Sequence, residues 1–480
     1  MSEYLYGASL QGLQEFIFKT NKLKEIIGAS EIIKNFDKLE LKKEFDLKED
    51  ATIILQAAGN LRVIFKNKED LEKVVLKLPQ YMMLKAYGVT ISQAVVEYKN
   101  YKDSSQELEK LLKIQRNKSN ISLDTHFNII QQNPRTALPL IDSENDKATA
   151  QKIVEFKKFA KEIKKDDKDS IFDISYLSNK KNKIAIIHID GNGLGNIVKD
   201  LTEADIKMFS KKLDDATNEA FKECVEKVFK SEDSKLKKRD VILGGDDVTL
   251  ICDANQALDF TKYFLELFEE KTKNIYTNKE KNISYDLTAC AGVVFCNEKY
   301  PFHYAVKLAE DLCSFTKKDS KKYAKEKKLN LAPSSLMFHN IQSSNVESFS
   351  KFIEDELTIN GIRCDFGPYY LKEIENKISI KKFQALVDDF KKENSPIAKL
   401  RDWLTTLSHD KNLAKLQLER INQISKDKWD SKNLYEGTSL KNLIVKKDGL
   451  DKTPVYDVLQ ILSVTDEKEG DIKWDIKSLF

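Results

Sequence analysis

Twice along the chain, short apolar runs and amphipathic stretches alternate in the order strand, helix, strand, strand, helix, strand. That order constrains the fold more than any other feature. The first round predicts a strand from Tyr4 to Leu10 and a helix from Gln14 to Phe36. Strands from Thr52 to Leu55 and from Leu61 to Phe65 follow, joined through Ala57-Ala58-Gly59-Asn60, whose Gly-Asn end suits a tight hairpin. A helix from Lys68 to Tyr87, punctuated by Gly88, and a strand from Val89 to Tyr98 close the round. The second round predicts a strand from Ile184 to Asp190, a helix from Glu203 to Phe229, strands from Val241 to Leu243 and Val248 to Cys252, a helix from Gln256 to Thr272 and a strand from Ser284 to Phe295. The spacing is too long for a solenoid and reads as a duplicated domain.

The expected fold class is therefore α+β: two ferredoxin-like (βαββαβ) palm domains, over residues 1–100 and 181–341. Residues 101–180 are rich in Lys, Asp and Glu and read as a helical connector, with Arg135 to Leu140 inside it and a helix from Ala148 to Lys165. Residues 342–480 read as a C-terminal helical domain, from the apolar spacing in Ile380 to Phe390 and Pro396 to Leu407. Its last segment, Pro454 to Val464, holds the apolar run Val458-Leu459-Gln460-Ile461-Leu462 and reads as a docking helix.

Composition serves mainly to exclude. A chain of 480 residues with 41% hydrophobic and 33% charged residues, and only 8 Pro and 16 Gly, is neither collagenous nor disordered. The longest apolar runs, such as Ile184 to Ile189, are strand-sized and fall short of the roughly 20 residues of a membrane span. The opening MSEYLYGASLQG lacks a basic stretch followed by an apolar core, so a cytoplasmic location is expected. Six cysteines form no CxxC pair, which argues for reduced core thiols and against a structural zinc site. With 80 Lys plus Arg against 77 Asp plus Glu, the formal charge of +3 makes no case for nucleic acid as an obligate ligand, so any polyanion site must be local.

The sharpest local signal is Gly244-Gly245-Asp246-Asp247 between two strands. The glycines permit a tight hairpin and a close ligand approach, and two adjacent carboxylates at its tip repel unless a cation sits there. In an antiparallel βαββαβ sheet of order 4-1-3-2, the end of strand one lies at the same edge as the turn between strands two and three. Asp190 occupies that end. Oxygen ligands from Asp190, Asp246 and Asp247 suit Mg²⁺ or Mn²⁺, which keep open positions for water and phosphate. The passage Gly191-Asn192-Gly193-Leu194-Gly195 leads from strand to helix, and its backbone N–H groups can cradle a triphosphate. Read alone, the hairpin is an ordinary surface turn; the register with Asp190 and its glycines makes it a site.

The second palm resembles the cyclase palm shared by the polymerase-like large subunit of type III CRISPR effector complexes and its small stand-alone relatives. GGDEF diguanylate cyclases are more distant cousins. The resemblance is carried by IAIIHIDGNGLG from Ile184, VILGGDDVTLIC from Val241, Ala291-Gly292-Val293, and Ala309-Glu310 leading into Lys317-Lys318. In the first palm, Gly12-Leu13-Gln14-Glu15-Phe16-Ile17-Phe18, then Leu23 and Gly28-Ala29-Ser30, resembles that family's Gly-Ile-Gln-x-Phe-Ile opening. The resemblance implies ATP as substrate and two divalent ions held by Asp190, Asp246 and Asp247. Gly191 to Gly195, Gly244, Gly245 and Lys317 would bind the nucleotide. It implies a cyclic or linear oligoadenylate-type second messenger made in antiviral defence, with guide RNA and other effector subunits as partners. The alternative it allows is a scaffold subunit whose catalysis is dispensable. A templated polymerase would want a basic, aromatic-lined channel, of which the near-neutral charge gives no sign.

Departures from the family pattern refine these expectations. The sequence opens at the first palm, with no HD nuclease domain before it and no cysteine motif between the palms, so no DNA cleavage is expected. The dipeptide His409-Asp410 lacks the companions of an HD hydrolase and reads as structural. His188 shares a strand face with Asp190 and reads as a core or rim histidine. Lys321, Lys322, Lys325 and Lys327 read as a solvated helix face. The first-palm hairpin, Ala57 to Asn60, carries no carboxylate, so that palm is expected to bind no catalytic metal and to shape the acceptor pocket.

Overall fold

In the first palm, β1 (Glu3–Gln11) is the central strand around which the domain is built. The computed structural model describes residues 3–118, 130–162, 173–198, 201–229, 237–278, 283–342, 348–425, 428–429, 443–447 and 449–466. After β1 come α1 (Leu13–Phe18), α2 (Leu23–Asp37), α3 (Leu41–Phe45), β2 (Thr52–Ala57), β3 (Asn60–Phe65), α4 (Lys68–Lys85) and β4 (Thr90–Tyr98). The sheet order β2-β3-β1-β4 is the expected 4-1-3-2. The helix expected from Gln14 to Phe36 is broken between α1 and α2. There the Thr20 hydroxyl accepts the Lys22 N–H at 3.1 Å, and Asn21 accepts the Phe302 N–H of the second palm at 3.0 Å. The hairpin turns through Ala58 and Gly59 at φ 50° and 73°, both left-handed as a type I′ turn requires.

The connector supplies α5 (Tyr101–Arg116), packed on β4 and β1, and α6 (Lys147–Glu162), packed on α2. The last three residues of the helix expected from Ala148 to Lys165 lie outside the described residues. Gly28 is needed where α6 crosses: a Cβ there would stand 1.8 Å from the Lys152 carbonyl oxygen.

The second palm runs β5 (Lys183–Asn192), α7 (Leu194–Val198), α8 (Glu203–Val228), β6 (Lys238–Gly244), β7 (Asp247–Asp253), α9 (Ala257–Lys271), β8 (Tyr276–Asn278), β9 (Ile283–Tyr285), β10 (Thr288–Asn297) and α10 (Phe302–Glu326). The strand expected from Ser284 to Phe295 is two strands. Asp286 accepts the Asn274 N–H at 2.7 Å and Leu287 is buried, so the chain turns between β9, which pairs with β8, and β10.

The core strands β10-β5-β7-β6 again have the order 4-1-3-2, and β11 (Ser335–Asn340) extends the sheet parallel to β10. The tail continues with α11 (Phe349–Asp355), β12 (Thr358–Ile359), β13 (Ile362–Arg363), β14 (Tyr369–Tyr370), β15 (Ile378–Ser379), α12 (Ile380–Phe390), α13 (Ile397–His409), α14 (Lys411–Ser425), β16 (Val445–Lys447), β17 (Leu450–Lys452) and α15 (Val455–Val464). Beside its helices it thus carries six strands of two or three residues, too short for an alternating pattern to show in sequence. Two of them, β14 and β15, complete the second palm's seven-stranded sheet. The segment read as a docking helix is α15, held to the sheet by Asp457, which accepts the Phe366 N–H and the Tyr369 hydroxyl, and by Gln460, which accepts the Asn340 N–H.

The palms meet reciprocally: α2 of the first lies on β6 of the second, and α8 of the second lies on β2 of the first. The Ser30 hydroxyl donates to the Val241 carbonyl across this seam. Both hydrophobic clusters draw on both palms, one joining Leu5 and Leu108 to Ile187 and Phe260, the other Tyr6 and Ile26 to Ile186 and Leu312. Each such side chain, fully buried, contributes roughly 1.5–3 kcal/mol. All six cysteines are free and buried. Among the described residues no helix is long and apolar enough to cross a membrane.

Candidate active site

The end of β5 and the β6–β7 hairpin form one edge of the sheet. Ile189 pairs with Val248, which puts Asp190 opposite Asp247, and Gly244 pairs with Asp247 across the turn. Gly245 has φ 61°, so the turn suits a residue without a Cβ. Gly191 clears room for a neighbour, because a Cβ there would lie 2.7 Å from the Asp246 Cβ. The three carboxylates expected from the sequence are therefore brought together. Asp246 shares a hydrogen bond with Asp190, and burial, then the Asp190 charge, holds its carboxyl well above the usual range. Burial, then the charges of Asp246 and Asp190, pushes Asp247 up to about 7.

Lys317, on α10, donates its ammonium to Asp190. Its side chain is 18% exposed, against 77% for Lys322 on the same helix, and Lys321, Lys325 and Lys327 are likewise exposed. Lys317 is thus set apart from the solvated lysines around it. It supplies positive charge that Asp246 and Asp247 also feel.

The donor set fits a hard divalent cation. All three side chains are carboxylates, they repel one another, and the glycine turn leaves their tip approachable, with nothing within 4 Å of a Cβ built at Gly244 or Gly245. Among the described residues no three such side chains are already arranged as a closed ligand set. Lys317 holds Asp190 in their place. A divalent cation held by Asp190 would compete with the ammonium for this carboxylate.

Of the glycine-rich passage, Gly193 has φ 95° and sits against Leu331, Leu194 packs its side chain near Gly191, and Gly195 is exposed. The Asn192 amide is buried and donates to Thr288 and Cys290 at 3.2 Å each. Its side chain anchors the end of β5 to β10, with which it also pairs in the ladder at Thr288. His188 keeps the structural role expected: its Nδ1 lies 3.1 Å from the Thr249 hydroxyl, and burial lowers its pKa to about 4, so it is neutral. Asp410 accepts the Asn412 and Leu413 N–H groups and so caps α14.

Two further residues bear on the site that the sequence did not single out, and a third was quoted there only as part of a motif. From α8, Asp214 accepts the Gly245 N–H at 3.3 Å and the Thr217 hydroxyl donates to the Gly245 carbonyl at 2.5 Å, holding the carboxylate hairpin from behind. Glu310, one residue of the Ala-Glu pair, is pushed up to about 7 by burial and Asp311, is hydrogen-bonded by Gln14 of the first palm, and adds to the rise at Asp247. Its spacing of seven from Lys317 puts both on one helix face.

The first palm repeats the geometry without the charge. Ser9 pairs with Asn60 as Asp190 stands to Asp247, and Ala57 pairs with Asn60 as Gly244 with Asp247. Ser9 donates to Asn60 at 2.8 Å, a neutral pair that satisfies itself where two carboxylates require a cation. The steric arrangement is also reversed: Leu10 stands where Gly191 does, and Gly59 where Asp246 does. A Cβ at Gly59 would lie 2.9 Å from Leu13 and 3.3 Å from Leu10. At the positions of Asp190, Asp246 and Asp247 this palm carries Ser9, Gly59 and Asn60.

A family model described as Cas10/Cmr2, second palm domain, matches residues 183–326. No curated protein matches the chain. Among solved structures, a Csm1–Csm4 cassette in complex with pppApApA is similar at 12% identity and TM-score 0.56, over 97% of this chain and 70% of that one. The cassette in complex with one ATP is similar at 11% identity and TM-score 0.56, with the same coverage. Csm1 of T. onnurineus is similar at 13% identity and TM-score 0.53, again over 97% and 70%. At such identities the structures speak for the fold, and the sequence match speaks for the second palm. The palm that carries the carboxylates is thus similar in sequence to the Cas10/Cmr2 second palm domain, and the chain is similar in fold to Csm1 along nearly its whole length.

Proposed function

We propose that the chain is a metal-dependent nucleotidyltransferase of the palm cyclase type, converting ATP to a cyclic or linear oligoadenylate-type second messenger in CRISPR-type defence. The observation that carries this reading is the meeting of Asp190, Asp246 and Asp247 at one sheet edge inside the matched palm. Two Mg²⁺ or Mn²⁺ ions, when bound, would activate the attacking hydroxyl and neutralise the leaving oxygens. Asp190, Asp246 and Asp247 would hold them. Nothing lies within 4 Å of a Cβ built at Gly195, Gly244 or Gly245, so the backbone there can approach phosphate oxygens closely, and the rest of Gly191 to Gly195 would complete the cradle. Lys317, once displaced from Asp190, is placed to pair with a phosphate instead. In the transfer, a ribose hydroxyl oxygen of one nucleotide bonds to the α-phosphorus of the next. The bond to the β-phosphate oxygen breaks, pyrophosphate leaves, and the hydroxyl proton is lost to solvent.

ATP and pppApApA are named with the cassette structures, which supports adenine nucleotides as substrates and linear oligomers as products. Their second subunit supports further effector subunits as partners. That same likeness over 97% of the chain favours a second reading, a scaffold subunit whose catalysis is dispensable. No DNA cleavage is proposed. Incubation of the purified protein with labelled ATP and Mn²⁺, with and without RNA, tests the reading. Oligoadenylate that vanishes in Asp246→Asn/Asp247→Asn supports the enzyme, and absence of any product under all conditions favours the scaffold.

A further inference from the structure

A lysine is rarely buried unless a carboxylate neutralises it. Lys152, on α6 of the connector, is 5% exposed. Its ammonium donates to the Phe16 carbonyl and lies 4.4 Å from the centre of the Phe16 ring. The carboxylates whose charge it feels are Glu25 and Asp146, and both are engaged elsewhere. Glu25 pairs with Arg135 at 3.0 Å and with Lys22 at 3.9 Å, while Asp146 accepts from Asn133, Thr136 and both the N–H and the hydroxyl of Thr149. Among the described residues neither makes an ion pair with Lys152. Lys19 adds a like charge nearby. Burial, and then Lys19 against the pull of the acids, lowers the Lys152 pKa to about 8, so near pH 7 it keeps its proton.

This ammonium lines a cavity of about 160 Å³ that α6 closes against α1 and the start of β4, with Phe16, Lys19, Thr20 and Thr90 among its walls. Thr20 is buried too; its hydroxyl accepts the Lys22 N–H at 3.1 Å, which leaves its own proton to give. The volume exceeds what one water needs and falls well below the roughly 300 Å³ at which sites for drug-sized molecules begin, so a nucleotide does not fit. The cavity also lies apart from the carboxylate hairpin. Helix α2 stands between them, with Gly28 turned to α6 and Ser30 to the Val241 carbonyl of the second palm.

We propose that this cavity between connector and first palm binds a small oxyanion, the size of phosphate or a short carboxylate, through the Lys152 ammonium and the Thr20 hydroxyl, with Lys19 at its mouth. In a site poor in water an ammonium gains more from a direct anionic partner than from a carbonyl and a ring, and it has donors beyond the one given to Phe16. The acids along the wall do not take that place, since Glu15 is exposed and Glu25 is paired with Arg135. An anion there would join α6 to α1 beside Asn21, which accepts the Phe302 N–H of the second palm. The proposal does not rest on the nucleotide reading above.

The test is calorimetric titration of the full chain with inorganic phosphate and, separately, with acetate, in EDTA at constant ionic strength. The wild type should bind one such anion per chain, and Lys317→Met should bind it equally well, which separates the cavity from the carboxylate site. Lys152→Met, which keeps the length of the side chain and removes its charge, should weaken binding at least about tenfold. Lys19→Glu, an exposed change, should weaken it in the same direction; melting temperatures check that both variants fold. Tighter binding of phosphate assigns a phosphoryl ligand and tighter binding of acetate a carboxylate, and either supports the site. No binding of either anion by the wild type, binding lost in Lys317→Met, or binding unchanged in a folded Lys152→Met would overturn the proposal. Should Lys152→Met not fold, unchanged binding in Lys19→Glu would overturn it as well.

Discussion

The clearest consequence of the site's geometry is that its carboxylates stress the fold when no metal is bound. Asp247 rises from 3.8 to about 7 through burial and the charges of Asp246 and Asp190. At 1.36 kcal/mol per pH unit this is roughly 4 kcal/mol. The hairpin tip is only partly buried, and water reduces the effect to about 2 kcal/mol. The sign follows from linkage: the folded protein holds this proton more tightly than the unfolded chain does. The contribution of Asp247 to metal-free stability is therefore most favourable below about pH 4, falls as pH rises from there to the folded pKa near 7, and carries the full penalty above it. Asp247→Asn keeps the shape and removes the charge. In EDTA it should exceed the wild type by about 2 kcal/mol at pH 8 and match it at pH 4. Urea denaturation at pH 4, 6 and 8 measures this, and Mn²⁺ at pH 8 should stabilise the wild type far more than the variant. A variant no more stable than the wild type in EDTA at pH 8 would refute the claim that the carboxylates are held together against their repulsion.

Other substitutions probe the parts around them. Lys317→Met should tighten Mn²⁺ binding, because the ammonium competes for Asp190, yet lower turnover at least about tenfold through the lost phosphate contact; unchanged values for both would count against that role. Thr217→Val removes the hydroxyl that holds the Gly245 carbonyl and should cost about 1 kcal/mol along with weaker Mn²⁺ binding, both restored by Thr217→Ser. Asp410→Ala should cost about 1 kcal/mol of stability as a lost helix cap, and a plasmid-cleavage assay should show no nuclease in either form.

How much of this was legible in the sequence depends on the range of the interactions involved. The 4-1-3-2 order and the meeting of Asp190 with the Asp246-Asp247 turn were legible, because strand length, a hairpin and one crossover rule determine which chain ends share an edge. The break at Thr20-Asn21 was not, since the helical spacing runs through it and the second palm's Phe302 N–H supplies the partner for Asn21. The strands β14 and β15 were also invisible: two residues carry no period, and their place follows from a sheet edge that only tertiary packing exposes. Asp214 and Thr217 looked like two polar positions among many on a 26-residue helix, and only the hairpin's position selects them.

The first palm shows the same limit at its sharpest. Its hairpin sequence announced the missing carboxylates, but that Ser9 and Asn60 occupy their positions follows from ladder register, and that Arg116 reaches Ser9 follows from how α5 lies across the sheet. Leu10 and Gly59 exchange the roles of Gly191 and Asp246, bulk on the strand in one palm and on the turn in the other. Introducing Asp at 59 would therefore meet Leu10 and Leu13 at a left-handed backbone position and still lack a carboxylate at Ser9, so a second metal site cannot be regained in one step. The asymmetry between the palms is built into packing as well as charge.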